Sequence, residues 1–251
     1  MAAIPVDRVI NKEDEYLSKN DYVGAERHLK FWWEEALQAN DDRGRLLICN
    51  ELMGLYRKLG KGDEARAYSA KAIELVEKLG LQDTIGGATA YLNSGTVYKA
   101  FDDPVRSLEF FEKAKEVYEN ELPADDTRKA GLYNNMALTL VDLERFAEAK
   151  MLYNNALVIM HSDENGQLGE AITYLNMADC AEAELGEIAA EPRIREYLDK
   201  AEKLIDSVEE DKRGGYYAFV CEKCAPTFEY YGYFLTAKEL EKRSREIYER
   251  S

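Results

Sequence analysis

The chain has 251 residues, 46% of them hydrophobic, which is ample apolar material for a sizeable core. Forty-nine acidic residues against thirty-three basic ones leave a net charge of −16 at pH 7. That balance excludes a phosphate-binding, nucleic-acid surface, which needs clustered Lys and Arg, and no window approaches the roughly twenty apolar residues of a membrane span.

Periodicity predicts helix pairs from one end to the other. The first spans about 6–40 and carries Phe31, Trp32 and Trp33 on its second helix, read as core or end-cap packing. The second spans about 44–80 and turns at Leu59-Gly60-Lys61-Gly62-Asp63, where glycine supplies the left-handed residue that ends a helix. The third spans about 83–121. Its second helix opens at Asp103-Pro104, a capping carboxylate followed by a proline whose missing N–H costs nothing. The fourth spans about 125–161, with its turn at Asp142-Leu143-Glu144-Arg145. The fifth spans about 164–209. Its turn is about four residues longer than the others, and Glu191-Pro192 is expected to start its second helix as Asp103-Pro104 does. The sixth spans about 211–250 and has Pro226 inside its first helix.

These pairs are copies of one unit. A small residue recurs on the second helix at Ala25, Ala65, Ser107, Ala149 and Ala237, with Ile194 in the fifth position, at intervals of 40 to 45 residues. Seven residues further on stand Trp32, Ala72, Ala114, Ala156, Ala201 and Ser244. On the first helix the matching position holds Glu13, Met53, Gly95, Ala137, Ala178 and Ala225, and three residues later Tyr16, Tyr56, Tyr98, Leu140, Ala181 and Phe228. Small residues facing aromatic ones let two helices approach closely and interlock.

In these positions the chain resembles the tetratricopeptide repeat family over essentially its whole length. The long period resembles kinesin light chains and the Rap- and PlcR-type peptide sensors. The resemblance implies an all-α, right-handed superhelix of six helix pairs, a single solenoid domain over residues 1–251, with the first helix of each pair lining a concave surface that holds extended peptides. The absence of a separate N-terminal helix-turn-helix departs from the PlcR-like regulators and puts direct transcriptional control in doubt.

Polar residues recur on that first-helix face. Asn93, Asn135 and Asn176 share one repeat position, and Asn50 and Asn134 sit one residue earlier. Asparagine is a poor helix-interior residue, so its repetition needs a reason. Its amide offers donor and acceptor together and can pair with a peptide backbone; the alternative is that it ties neighbouring helices together. Arg57 and Lys99 lie along the same helices as anchors for a carboxylate, and Asp179, with Glu182, Glu222 and Glu229, makes the C-terminal lining acidic. The expected ligand-binding set is therefore Asn50, Arg57, Asn93, Lys99, Asn134, Asn135, Asn176 and Asp179.

No nucleophile–base arrangement, phosphate loop or metal-ligand pair is found, so neither a catalytic residue, a cofactor nor a metal site is expected. None of the many carboxylates is expected on an apolar background that would raise its pKa. Cys221 and Cys224 form C-x2-C on a helix without further ligands nearby, and with Cys49 and Cys180 they read as reduced, buried thiols of a cytoplasmic protein. The expected function is a non-catalytic protein- or peptide-binding module. The alternatives are a self-associating scaffold, hence a homo-oligomer, and a regulator docking onto a folded partner enzyme.

Overall fold

The computed structural model describes residues 3–163 and 165–250. The described residues form twelve α-helices and one short 3-10 turn, Glu210–Lys212, without a strand. Two compact units divide them, residues 1–122 and 123–251.

The first unit holds α1 (Val6–Ser18) with α2 (Tyr22–Ala39), α3 (Asp42–Lys58) with α4 (Gly62–Leu79), and α5 (Ile85–Ala100) with α6 (Pro104–Glu121). The second holds α7 (Thr127–Asp142) with α8 (Phe146–Ser162), α9 (Gln167–Leu185) with α10 (Glu187–Asp206), and α11 (Gly215–Tyr230) with α12 (Phe234–Tyr248). The expected start of the fifth pair, at residue 164, lies outside the described residues.

The repeated small positions are the core. Ala25, Ala65, Ser107, Ala149, Ile194 and Ala237 are all buried, as are Ala72, Ala114, Ala156, Ala201 and Ser244. The interlock is tightest in the third pair. A Cβ on Gly95 would come within 2.5 Å of the Phe111 ring, and the Ser107 hydroxyl donates to the Gly95 carbonyl at 2.9 Å. Only glycine lets the α6 aromatic ring lie so close to α5.

One turn joins the helices of most pairs. The carbonyls of Tyr16, Tyr56, Tyr98, Leu140 and Phe228 each accept from the N–H five residues later, at 2.8–3.0 Å. The chain reverses through a left-handed residue two positions before the next helix: Asn20, Gly60, Asp102, Glu144 and Gly232. This is the hydrogen-bonded helix stop in which late carbonyls are satisfied by the turn itself. Asp21, Asp41, Thr84, Asp103 and Asp126 then cap helix starts through their side chains.

The fifth turn departs from this pattern and from the sequence expectation. Gly186 is followed at once by α10, so the helix begins at Glu187 and Pro192 lies inside it. The extra residues therefore form one added helical turn at the front of α10 rather than a longer loop. As the sixth residue of α10 this proline forfeits the one backbone bond that an N–H there would make to the carbonyl of Ile188, an exposed residue.

Candidate functional site

The amide row is best formed in the first unit. Asn50 on α3 and Asn93 on α5 are both half-buried, and the Asn93 Nδ2 donates to the Asn50 Oδ1 at 3.0 Å. Each asparagine spends one group on the other, so the pair retains donor and acceptor capacity. One turn or more beyond them, Arg57 is exposed and Lys99 half-buried, each in the last turn of its helix. There, cations are favoured by the helix dipole as well as by any ligand.

In the second unit the two adjacent asparagines of α7 part company. Asn134 is buried, its Nδ2 donating to the Thr173 hydroxyl of α9 at 2.8 Å while its Oδ1 is buried without a hydrogen-bond partner. It ties α7 to α9. Neighbouring helix residues point about 100° apart, so two consecutive asparagines meet different surroundings. Asn135 is half-buried, and its amide donates back to the Gly131 carbonyl at 3.0 Å. Asn176 on α9 is also half-buried.

Asp179 and Glu182 form an acidic end to this face under two tyrosines. The Tyr231 hydroxyl is 2.9 Å from both Asp179 Oδ1 and Glu182 Oε2, and the Tyr230 hydroxyl donates to Glu182 Oε1 at 3.1 Å. Desolvation holds the Asp179 carboxyl above its ordinary range, against the lowering effect of the Tyr231 hydrogen bond and with added repulsion from Glu182. Glu222 and Glu229 of α11 are exposed, Glu222 accepting from the Tyr248 hydroxyl at 3.2 Å.

One carboxyl overturns a sequence expectation. Glu13 stands on α1 where later pairs have Met, Gly or Ala. It is only 3% exposed and its Oε2 has no hydrogen-bond partner. Burial first, then repulsion from Glu51 and Asp14, pushes its pKa up to about 8. The only sequence signal was the mismatch itself, a long acid in a position reserved for close approach. Glu51 was missed too: it occupies in α3 the same position that holds Asn93, Asn135 and Asn176 in other pairs, and its carboxyl is likewise raised by desolvation.

All four cysteines are reduced, buried and on first helices. Burial pushes the Cys49 and Cys224 thiols up to about 12, the opposite of what a nucleophilic thiolate requires. Among the described residues no group of three or more His, Cys, Asp and Glu is arranged to hold a metal ion, and no helix is long and apolar enough to cross a membrane.

Helix pairs repeated at a near-constant interval, with a recurring polar face on the first helix, define an α-helical repeat protein. The Tetratricopeptide repeat family model matches residues 48–120, and the described residues share one all-α fold of repeated helix pairs. Solved structures with this fold include BtubC (BKLC) from P. vanneervenii, 19% identical with a TM-score of 0.69 over 81% of this chain and 82% of that one. They also include the nearly identical TPR-like repeats of a kinesin light chain from Podosopora anserina, 14% identical with a TM-score of 0.53 over 81% and 94%. MamA is 18% identical with a TM-score of 0.53 over 81% and 95%. No curated protein matches the sequence. Repeats of this kind ordinarily build protein-interaction scaffolds and carry no catalytic machinery.

Proposed function

We propose that the chain is a non-catalytic, cytoplasmic binding module that holds extended peptide segments along the first-helix faces of its pairs. The observation that carries this reading is the Asn50–Asn93 amide pair, half-buried between adjacent first helices with donor and acceptor capacity to spare. Such a pair suits the N–H and C=O of a peptide backbone and is indifferent to its side chains. Arg57 and Lys99 serve as anchors for a carboxylate on the ligand. In residues 123–251 the corresponding contacts fall to Asn135, Asn176 and Asp179.

The test starts from peptides about twelve residues long selected from a random phage-displayed library against the whole chain. Replacing Asn50 and Asn93 together by Ala is expected to weaken the selected peptide about tenfold, with the melting temperature almost unmoved. Parallel loss of binding and of fold would assign the amides to holding α3 against α5 instead.

A second reading, self-association, is favoured by one observation: Tyr216 and Phe219 on α11 and Phe234 and Leu235 on α12 are all exposed. Light scattering across a range of chain concentrations separates the two, since a peptide-holding monomer keeps one mass throughout.

A further inference from the structure

The added turn of α10 does more than lengthen a helix. Between it, the C-terminal end of α9 and the α11–α12 turn lies a cavity of about 620 Å³, within the range of small-ligand sites. Ile194 and Leu198 give it an apolar floor, and Tyr230, Tyr231 and Tyr233 an aromatic wall. Three carboxylates line it, Glu182, Glu187 and Glu191, the last two from the start of α10. A single guanidinium faces them, that of Arg195, and it is engaged with Glu191 at 3.1 Å. Glu182 is fixed in place by both tyrosine hydroxyls, while Glu187 and the Tyr230 ring stand exposed at the mouth.

We propose that this cavity receives an arginine side chain of a basic peptide segment. Each part of the cavity matches a part of that side chain. The apolar floor suits its methylene stem. The tyrosine faces suit a weakly hydrated planar cation, which stacks on aromatic rings better than a compact ammonium does. The carboxylates at the mouth suit its forked donors and outnumber the one positive group present. An acidic ligand would meet the opposite of what it needs. The cavity is separate from the amide pair of α3 and α5 and does not depend on the reading given to it.

The test uses the full chain and a fluorescent octapeptide of alternating Arg and Gly, followed by anisotropy at about 150 mM salt. The same peptide with citrulline in place of arginine is the uncharged isosteric control, and spermidine is the non-peptide cation. The arginine peptide is expected to bind at least about tenfold more tightly than the citrulline peptide and than spermidine. Glu187→Gln and Tyr230→Ala, both at exposed positions that spare the core, are each expected to weaken it about fivefold. Glu116→Gln, which removes an exposed acid of α6, and Asn93→Ala are expected to leave it unchanged. Equal loss from Glu116→Gln and Glu187→Gln would overturn the proposal by tracing binding to net charge alone. Equal affinity for spermidine, or failure of the arginine peptide to bind, would overturn it as well.

Discussion

At Glu13 a buried carboxyl sits in a position that its sister pairs fill with residues lacking charge. Its folded-state pKa of about 8 lies above the ordinary value of 4.5. Between those two values the folded chain keeps a proton that the unfolded chain has lost. Stability contributed by the neutral acid is therefore complete below about pH 4.5, falls as the pH rises, and is gone above about pH 8. Repulsion from Glu51 and Asp14 adds to the cost that burial sets on ionising it. Glu13→Gln keeps the shape and removes the titration, so it should stabilise the chain by roughly 1–3 kcal/mol at alkaline pH and by almost nothing near pH 4. Melting curves from pH 4 to 9 would show it, and a variant with the wild-type slope would place the titrating group elsewhere. The residue scale is also where the sequence was hardest to read. Asn134 and Asn135 are adjacent and chemically identical, yet one is sealed against Thr173 and the other half-open. Periodicity locates a face to within a residue or two, and on a helix one residue decides between core and solvent.

Elements were more legible, because each helix start, turn and close-packing position is a local requirement repeated six times. Ala65, Ser107 and Ala149 announce themselves by spacing, since any larger residue there would drive two helices apart. Asp103-Pro104 marked a true helix start, whereas Glu191-Pro192, the same signal, lay inside α10. The difference is that Asp103 has a left-handed residue directly before it, while residues 187–190 continue as helix out of Gly186. The turns make their own prediction. Glu144 holds a φ of 57° where Gly60 and Gly232 do the same work in other pairs. A side chain in that conformation costs about 1–2 kcal/mol, partly offset by the freedom glycine adds to the unfolded chain. Glu144→Gly should therefore raise stability by about 0.5–1 kcal/mol, and Gly60→Ala should lower it by a similar amount. Chemical denaturation of the two variants checks both signs, and a destabilised Glu144→Gly would mean that the glutamate side chain contributes more than its backbone costs.

On the scale of the whole molecule the governing quantity is charge. Many of the ion pairs lie within one helix at three- or four-residue spacing and on the surface, such as Arg195–Glu191, Lys200–Glu196 and Lys242–Glu246. Pairs of this kind contribute a few tenths of a kcal/mol each and weaken with salt. Others bridge helices: Glu26 on α2 meets Lys61 at 2.9 Å, and Lys150 on α8 meets Glu184 on α9 at 2.7 Å. Against both stands a net surplus of sixteen negative charges. At 10 mM salt the screening length is about 30 Å, so carboxylates on neighbouring pairs repel one another; at 1 M it is about 3 Å and they scarcely interact. Salt thus removes many long-range repulsions and a smaller number of short-range attractions, and the short-range ones are the less screened. The melting temperature at pH 7.5 should consequently rise by several degrees between 10 mM and 500 mM NaCl, with most of the gain complete by physiological strength. A falling melting temperature over the same range would mean that bridging pairs such as Lys150–Glu184 outweigh the surplus, and that the acidity of this chain is not a cost to its fold.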